Sequence, residues 1–202
     1  MKIAILGAGN IGGTLGGKWT KAGHDVRFGV RDAQSPKTLA ALERAPGAVI
    51  VDVSAAIRES DLVLFSVPWK IVPEIARANA ADLNSKLLID ATNNFAGPVI
   101  NNLKELQDSA PDAKIYRAFN SLGWEVFANP LIGGQTADMF YSGPDGEPRS
   151  QIHKLIEEIG VGPIWVGDND RIHLVDNMGA LWVNMVFQRG WKRHSAFRVL
   201  AE

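Results

Sequence analysis

Gly7-Ala8-Gly9-Asn10-Ile11-Gly12 carries the clearest chemical signal in this chain. Glycines at this spacing make a turn whose backbone N–H groups are free to hold an anion. Gly7 permits a sharp turn, Gly9 lets the backbone approach a pyrophosphate, and Gly12 lets a helix pack closely on a strand. The turn follows the apolar run Ile3-Ala4-Ile5-Leu6 and precedes Ile11, Leu15 and Trp19, one residue per helical turn. Strand, turn and helix in that order is the layout of a dinucleotide site. The anion would rest on the helix N-terminus, where the macrodipole favours negative charge.

The second strand, Asp25 to Val30, indicates which dinucleotide. An acid at the tip of this strand serves a ribose 2′-hydroxyl, whereas an arginine fits a 2′-phosphate. The tip here reads Val30-Arg31-Asp32, with Lys37 close behind. Arg31 and Lys37 favour NADP(H) over NAD(H), and Asp32 keeps a ribose contact open.

Other polar groups fall where later strands end. Val67-Pro68-Trp69 closes the apolar strand Asp61–Val67, and Thr92-Asn93 and Asn120-Ser121 follow the next two strands. Pro68 and Trp69 suit a wall for flat rings, and packing would explain Trp69 equally well. Thr92 and Asn93 are candidate cofactor contacts. Asn120 and Ser121 are candidate substrate contacts, and loop capping is the alternative for the asparagines. On the last long helix, Asp170, His173, Asn177, Asn184 and Gln188 share a face, so Asn184 is a further substrate candidate. His173 is the one histidine placed to reach a cleft as a catalytic acid, and a solvated helix face accounts for the stripe as well. There is no Ser-His-Asp arrangement and no metal-ligand cluster. Hydride transfer needs neither, because a positioned nicotinamide carries the reaction.

The elements that must hold these groups alternate. Strands at 48–51, 61–67, 86–91 and 113–119 are separated by helical segments: one opened by Ser35-Pro36, one capped by Ser54, one through Val72 and Ile75, and one through Ile100, Leu103 and Leu106. Such alternation predicts an α/β fold, a doubly wound parallel sheet of order 3-2-1-4-5-6, with its ligand crevice between strands one and four. A long loop with one helical turn at 124–127 is expected over 120–135. Beyond it come a strand at 137–142, a helix from Pro148 to Gly160, a strand at 163–166, a helix over 169–189 and a short helix in the tail from Ser195. A dinucleotide-binding domain over 1–167 and a helical segment over 168–202 closing the cleft describe the organisation.

The 202 residues are 46% hydrophobic and 21% charged, as in an ordinary globular protein. A net charge of −1 gives no electrostatic case for nucleic acid or an anionic membrane surface. Without cysteine there is no disulfide and no thiolate nucleophile. The first apolar run is too short for a signal segment, and no stretch reaches membrane-spanning length, so a cytoplasmic protein is expected. Apolar residues on the last helix would allow a homodimer.

The chain resembles the NADPH-dependent coenzyme F420 reductases, the F420-dependent NADP oxidoreductase family. The resemblance rests on the opening strand and glycine turn, Val30-Arg31, Ser66-Val67-Pro68-Trp69, Ile89-Asp90-Ala91-Thr92-Asn93, Arg117-Ala118-Phe119-Asn120-Ser121-Leu122-Gly123 and Gly179-Ala180-Leu181-Trp182. It implies a Rossmann domain with a small C-terminal helical piece and hydride exchange between NADP(H) and a second substrate, F420 or a flavin such as FMN or FAD. It also implies that Ala8, Gly9, Asn10 and Ile11 touch the pyrophosphate, Arg31 the 2′-phosphate, and Pro68-Trp69 the ribose or nicotinamide side. F420 reductases of the family carry serine where this chain has Val30, which leaves more of the phosphate to Arg31. Two other readings remain open at this level: reduction of a small carbonyl or imine, needing a proton donor such as His173, and a non-catalytic NADP-sensing module.

Overall fold

The computed structural model describes residues 1–201. Its first part alternates strand and helix: β1 (Lys2–Leu6), α1 (Asn10–Lys21), β2 (Asp25–Gly29), α2 (Pro36–Arg44), β3 (Val49–Val51), α3 (Val53–Arg58), β4 (Leu62–Phe65), α4 (Val72–Ala78), α5 (Ala80–Leu83), β5 (Leu87–Asp90), α6 (Leu103–Ser109) and β6 (Lys114–Arg117). The six strands form one parallel sheet in the order β3-β2-β1-β4-β5-β6, as the alternation predicts. Leu6 pairs with Gly29 on one side and Phe65 on the other, so the glycine turn, the Arg31 tip and Ser66-Val67 leave the sheet at one level.

Side-chain alternation along the strands divides the core between the two faces. Ile3, Ile5, Leu62, Leu64 and Ile89 pack with Leu15 and Trp19 of α1. Ala4, Leu6, Val63, Phe65 and Leu88 pack with Ile57, Val72, Ala76 and Leu106 from α3, α4 and α6. Burial on both sides explains why β1 and β4 read as unbroken apolar runs.

Side-chain caps set two of the helix starts. Ser35 Oγ accepts from Thr38 N at 3.3 Å, with Pro36 at the first helical position. Asp52 rather than Ser54 caps α3, its Oδ1 accepting from Ala55 N at 2.9 Å. That helix therefore begins before the expected cap. α6 begins at Leu103, which leaves Ile100 in the loop before it.

Beyond β6 come α7 (Trp124–Ala128), β7 (Leu131–Ile132), β8 (Gln135–Thr136), β9 (Asp138–Tyr141), α8 (Glu147–Ile159), β10 (Gly162–Trp165) and α9 (Ile172–Val183). The expected long loop thus contains a small antiparallel hairpin, β7–β8, turned by Gly133-Gly134 at φ +58° and +79°. β9 and β10 pair in parallel, and a bridge between Arg117 and Ser142 joins them to the main sheet. α8 buries Ile152, Leu155, Ile156 and Ile159 and is fastened to the first βα unit. Trp19 Nε1 donates to the Leu155 carbonyl at 3.0 Å, and the His24 ring lies 2.7 Å from the Glu158 carboxylate.

The final helix is not one continuous α-helix. A 3₁₀ turn at Asn169–Arg171 leads into α9, and a π-helical turn at Asn184–Gln188 ends it. The helix expected in the tail is absent through residue 201, and Glu202 lies outside the described residues. The tail is held extended instead: Asp138 N donates to the Phe197 carbonyl at 3.0 Å, and Val199 N donates to Asp138 Oδ2 at 2.7 Å. Backbone groups tied to Asp138 are unavailable for a helix.

Candidate functional site

A cavity of about 520 Å³ opens where the strand order reverses, between the ends of β1, β2 and β4. Gly7, Ala8 and Gly9 line it, and so do Arg31, Lys37, Val67 and Pro68. The three glycines behave differently. Gly7 has φ +103°, and a Cβ there would lie 2.8 Å from the Ser66 carbonyl oxygen. A Cβ on Gly12 would strike the Gly7 carbonyl and come within 2.7 Å of Ser66 Oγ. Gly9 faces open space, with nothing within 4 Å of a Cβ. So Gly7 and Gly12 shape the turn, while Gly9 leaves room for a ligand. The turn is also tied to its neighbours: Ser66 Oγ donates to the Leu6 and Gly7 carbonyls at 3.0 and 3.1 Å, and Gly7 N donates to the Gly29 carbonyl at 3.2 Å.

Arg31 and Lys37 are exposed at the rim, and neither pairs with a carboxylate among the described residues. Asp32 is turned to local structure, its Oδ1 accepting from Gln34 N at 2.9 Å. Two unpaired cations beside a glycine turn fit the 2′-phosphate and pyrophosphate of NADP. Val30 is half-buried and packs against the core. A second groove of about 310 Å³ runs from Ala8, Gly9 and Asn10 along Lys37, Ala40 and Arg44 of α2, so Lys37 borders both spaces.

The remaining sequence candidates lie in other surroundings. Trp69 opens a 3₁₀ turn with Lys70 5.7 Å over its ring, and it does not line the cavity. Thr92 is buried; its Oγ1 donates to Asp90 Oδ1 at 2.6 Å and accepts from Asn102 Nδ2 at 2.8 Å. Asn93 is half-buried, with Oδ1 accepting from Arg117 and Nδ2 donating to the Asn120 carbonyl at 3.1 Å. Both ends of its amide are therefore engaged within the protein. Ser121 is buried beside the Met139 sulfur. Asn120 is buried against α9, its Nδ2 3.5 Å from the Val175 carbonyl. Ile11 lies within α1, whereas His173 and Asn184 are exposed on the C-terminal helical segment, outside the cavity lining.

Beneath these loops is a buried ionic network that the sequence alone did not reveal. Arg117, fully buried at the end of β6, donates to Asp176 Oδ1 at 2.8 Å, to the Asp90 carbonyl at 2.9 Å and to Asn93 Oδ1 at 2.7 Å. Asp176 also accepts from Asn101 Nδ2 at 2.6 Å, and Asp90 from the backbone of Thr92 and Asn102. The chain then bends at Phe119, whose φ of +60° is unusual for an aromatic residue. Edge-to-face packing against Trp19 and Phe127, at 5.8 and 5.7 Å, holds that bend.

Cavity residues not anticipated from sequence include Ser35, Thr38, Val53, Ser54, Ile71, Glu74, Ile75, Ala78 and Asn79. The spacing 71, 74, 75, 78 is one helical face following the fourth strand, and that was the available signal. No group of three or more His, Cys, Asp or Glu could hold a metal among the described residues. No described helix is long and apolar enough to cross a membrane.

A profile of the family described as "NADP oxidoreductase coenzyme F420-dependent" matches residues 2–94. That match is a similarity over the first part of the chain. The match covers β1 through the Asn93 loop, and so includes the glycine turn, Arg31 and Pro68. A crystal structure of a "putative f420 dependent nadp-reductase" from Arthrobacter sp. FB24 is similar over 100% of both chains, with a TM-score of 0.85 and 22% identity. A Streptomyces aurantiacus imine reductase aligns over 93% of this chain and 62% of its own, with a TM-score of 0.69 and 15% identity. At such identities the likeness is one of fold. The glycerol-3-phosphate dehydrogenase [NAD(P)+] of Pseudomonas fluorescens is 28% identical over 125 residues, 56% of this chain and 37% of its own. The chain thus spans little more than a third of that curated relative. The family and these curated relatives are NAD(P)-dependent oxidoreductases.

Proposed function

We propose that this chain is an NADP-dependent oxidoreductase that exchanges hydride between NADP(H) and a flat redox ring, F420 or a flavin. The observation that carries the reading is the pair of unpaired cations, Arg31 and Lys37, beside a glycine turn open at Gly9. Gly9 and the α1 N-terminus would hold the pyrophosphate, and Arg31 would grip the 2′-phosphate in a bidentate manner. When bound, the nicotinamide supplies or takes up the hydride. Val67 and Pro68 would flank the dinucleotide, and the network around Arg117 keeps the β5 and β6 loops in fixed positions.

Ring-to-ring hydride transfer places little demand on side-chain acids and bases. Reduction of a small carbonyl or imine, by contrast, needs a proton donor beside the acceptor. His173, the candidate for that role, is exposed at the start of α9 and outside the cavity lining. This ranks the carbonyl or imine reading second.

The test is to follow NADPH absorbance with F420, FMN and FAD offered separately. Oxidation of NADPH by one of these rings is the expected result. Tight NADPH binding with no turnover on any of them would contradict it and favour an NADP-sensing module. An imine substrate turned over by wild type and not by His173→Ala would favour the second reading.

A further inference from the structure

One carboxylate in the cavity has no assigned task. Glu74 stands in the first turn of α4 and lines the cavity together with Ile71, Ile75 and Ala78 of the same helical face. It pairs with no cation and accepts no hydrogen bond among the described residues. Most other polar groups there are already engaged. Ser35 Oγ and Thr38 Oγ1 are 2.8 Å apart, and Thr38 Oγ1 donates to the Asp32 carbonyl at 2.9 Å. Asn79 Nδ2 donates to the Ile75 carbonyl at 2.8 Å, and Ser66 Oγ is bound to the glycine turn. Asp32 Oδ1 accepts from Gln34 N at 2.9 Å, and Arg31, Lys37, Ser54 and Glu74 have no side-chain partner among the described residues.

The two cations suit phosphate. An ionised carboxylate accepts hydrogen bonds and donates none, so Glu74 suits an N–H donor. A dinucleotide with its pyrophosphate at Gly9 and its 2′-phosphate at Arg31 still has the flat, largely apolar base of that half to place. Ile71, Ile75 and Ala78 make the face around Glu74 one of the apolar stretches of the wall.

We propose that Glu74 selects the base of the bound nucleotide by accepting a hydrogen bond from an exocyclic amino group. An aminopurine such as adenine presents that donor; hypoxanthine presents a carbonyl oxygen in its place. The inference rests on the NADP-binding reading above.

The experiment is calorimetric titration of NADP⁺ and of its hypoxanthine analogue into wild type and Glu74→Gln. Wild type is expected to prefer NADP⁺ by roughly tenfold to a hundredfold, the range for a hydrogen bond to a charged group. In Glu74→Gln the preference should fall to near one, because the amide can accept from an amino group or donate to a carbonyl. Removing the negative charge affects both ligands alike, so the ratio isolates the base contact. A ratio near one in wild type, or an undiminished ratio in Glu74→Gln, overturns this inference while leaving NADP binding intact. A wild-type chain that binds neither dinucleotide overturns both.

Discussion

Arg117 Nε donates to Asp176 Oδ1 at 2.8 Å, and the two residues are 59 positions apart in sequence. The contact joins the last strand of the main sheet to the C-terminal helix, where neither side chain reaches water appreciably. Arg117 also binds Asn93 and lies 3.4 Å from Asp90 Oδ2. One guanidinium therefore fixes the β5 loop, the β6 end and α9 together.

Removing one member of such a cluster leaves buried charge without a partner, which costs about 3–5 kcal/mol. Arg117→Met should destabilise the protein by that amount, read as a lowered urea midpoint. Adding Asp176→Asn should recover part of the loss, because one stranded carboxylate becomes neutral. A single variant as stable as wild type would show that the cluster holds nothing together.

The glycine turn yields a pair of opposite outcomes. Gly9→Ala places a methyl in open space at an ordinary φ of −77°, so the fold should keep its stability while NADP⁺ affinity falls. Gly12→Ala drives a methyl into the Gly7 carbonyl, so stability itself should fall by about 1–3 kcal/mol, the usual cost of overpacking. Thermal melts and ligand titration on both variants separate the two roles. Equal behaviour of the variants would contradict the division of labour.

Burial, assisted by the nearby Tyr141 and Asp168, pushes the Tyr116 phenol well above its ordinary value, and burial raises Tyr141 too. Tyr116 also donates to the Pro144 carbonyl at 2.8 Å. The unfolded chain, with phenols near ~10, loses these protons before the folded chain does. Their contribution is therefore complete below about pH 10 and is lost as pH rises above it. Urea unfolding should show stability declining from there upward. Tyr116→Phe should flatten that decline; an unchanged slope would refute the role of this phenol.

The features readable in the sequence were local ones. β1, β3, β4 and β5 appear as apolar runs, and the order of elements with the glycine turn was enough to give β3-β2-β1-β4-β5-β6. Ser35-Pro36 and Gly160 mark helix ends by their own chemistry, and Gly160 takes φ +96°. Ser54 is the expected cap of α3, and Asp52, an equally good capping residue two positions earlier, takes the role instead. The Arg117–Asp176 pair was hidden because no periodicity links a strand residue to a helix residue so far along the chain. Asp176 also lies beside Val175 on the buried side of α9, away from the polar stripe that marked His173 and Asn177. Thr92 and Asn93 were singled out as polar loop residues, but a loop's polarity does not reveal whether its side chains turn outward. Here both are bonded inward.

Arg31 is the side chain proposed to read the 2′-phosphate. Titration of NADP⁺ and NAD⁺ into wild type and Arg31→Ala measures this directly. Wild type should prefer NADP⁺, and the variant should lose about 1.5–3 kcal/mol of NADP⁺ affinity while its NAD⁺ affinity barely moves. Equal losses for the two dinucleotides, or a wild type that does not distinguish them, would contradict the assignment.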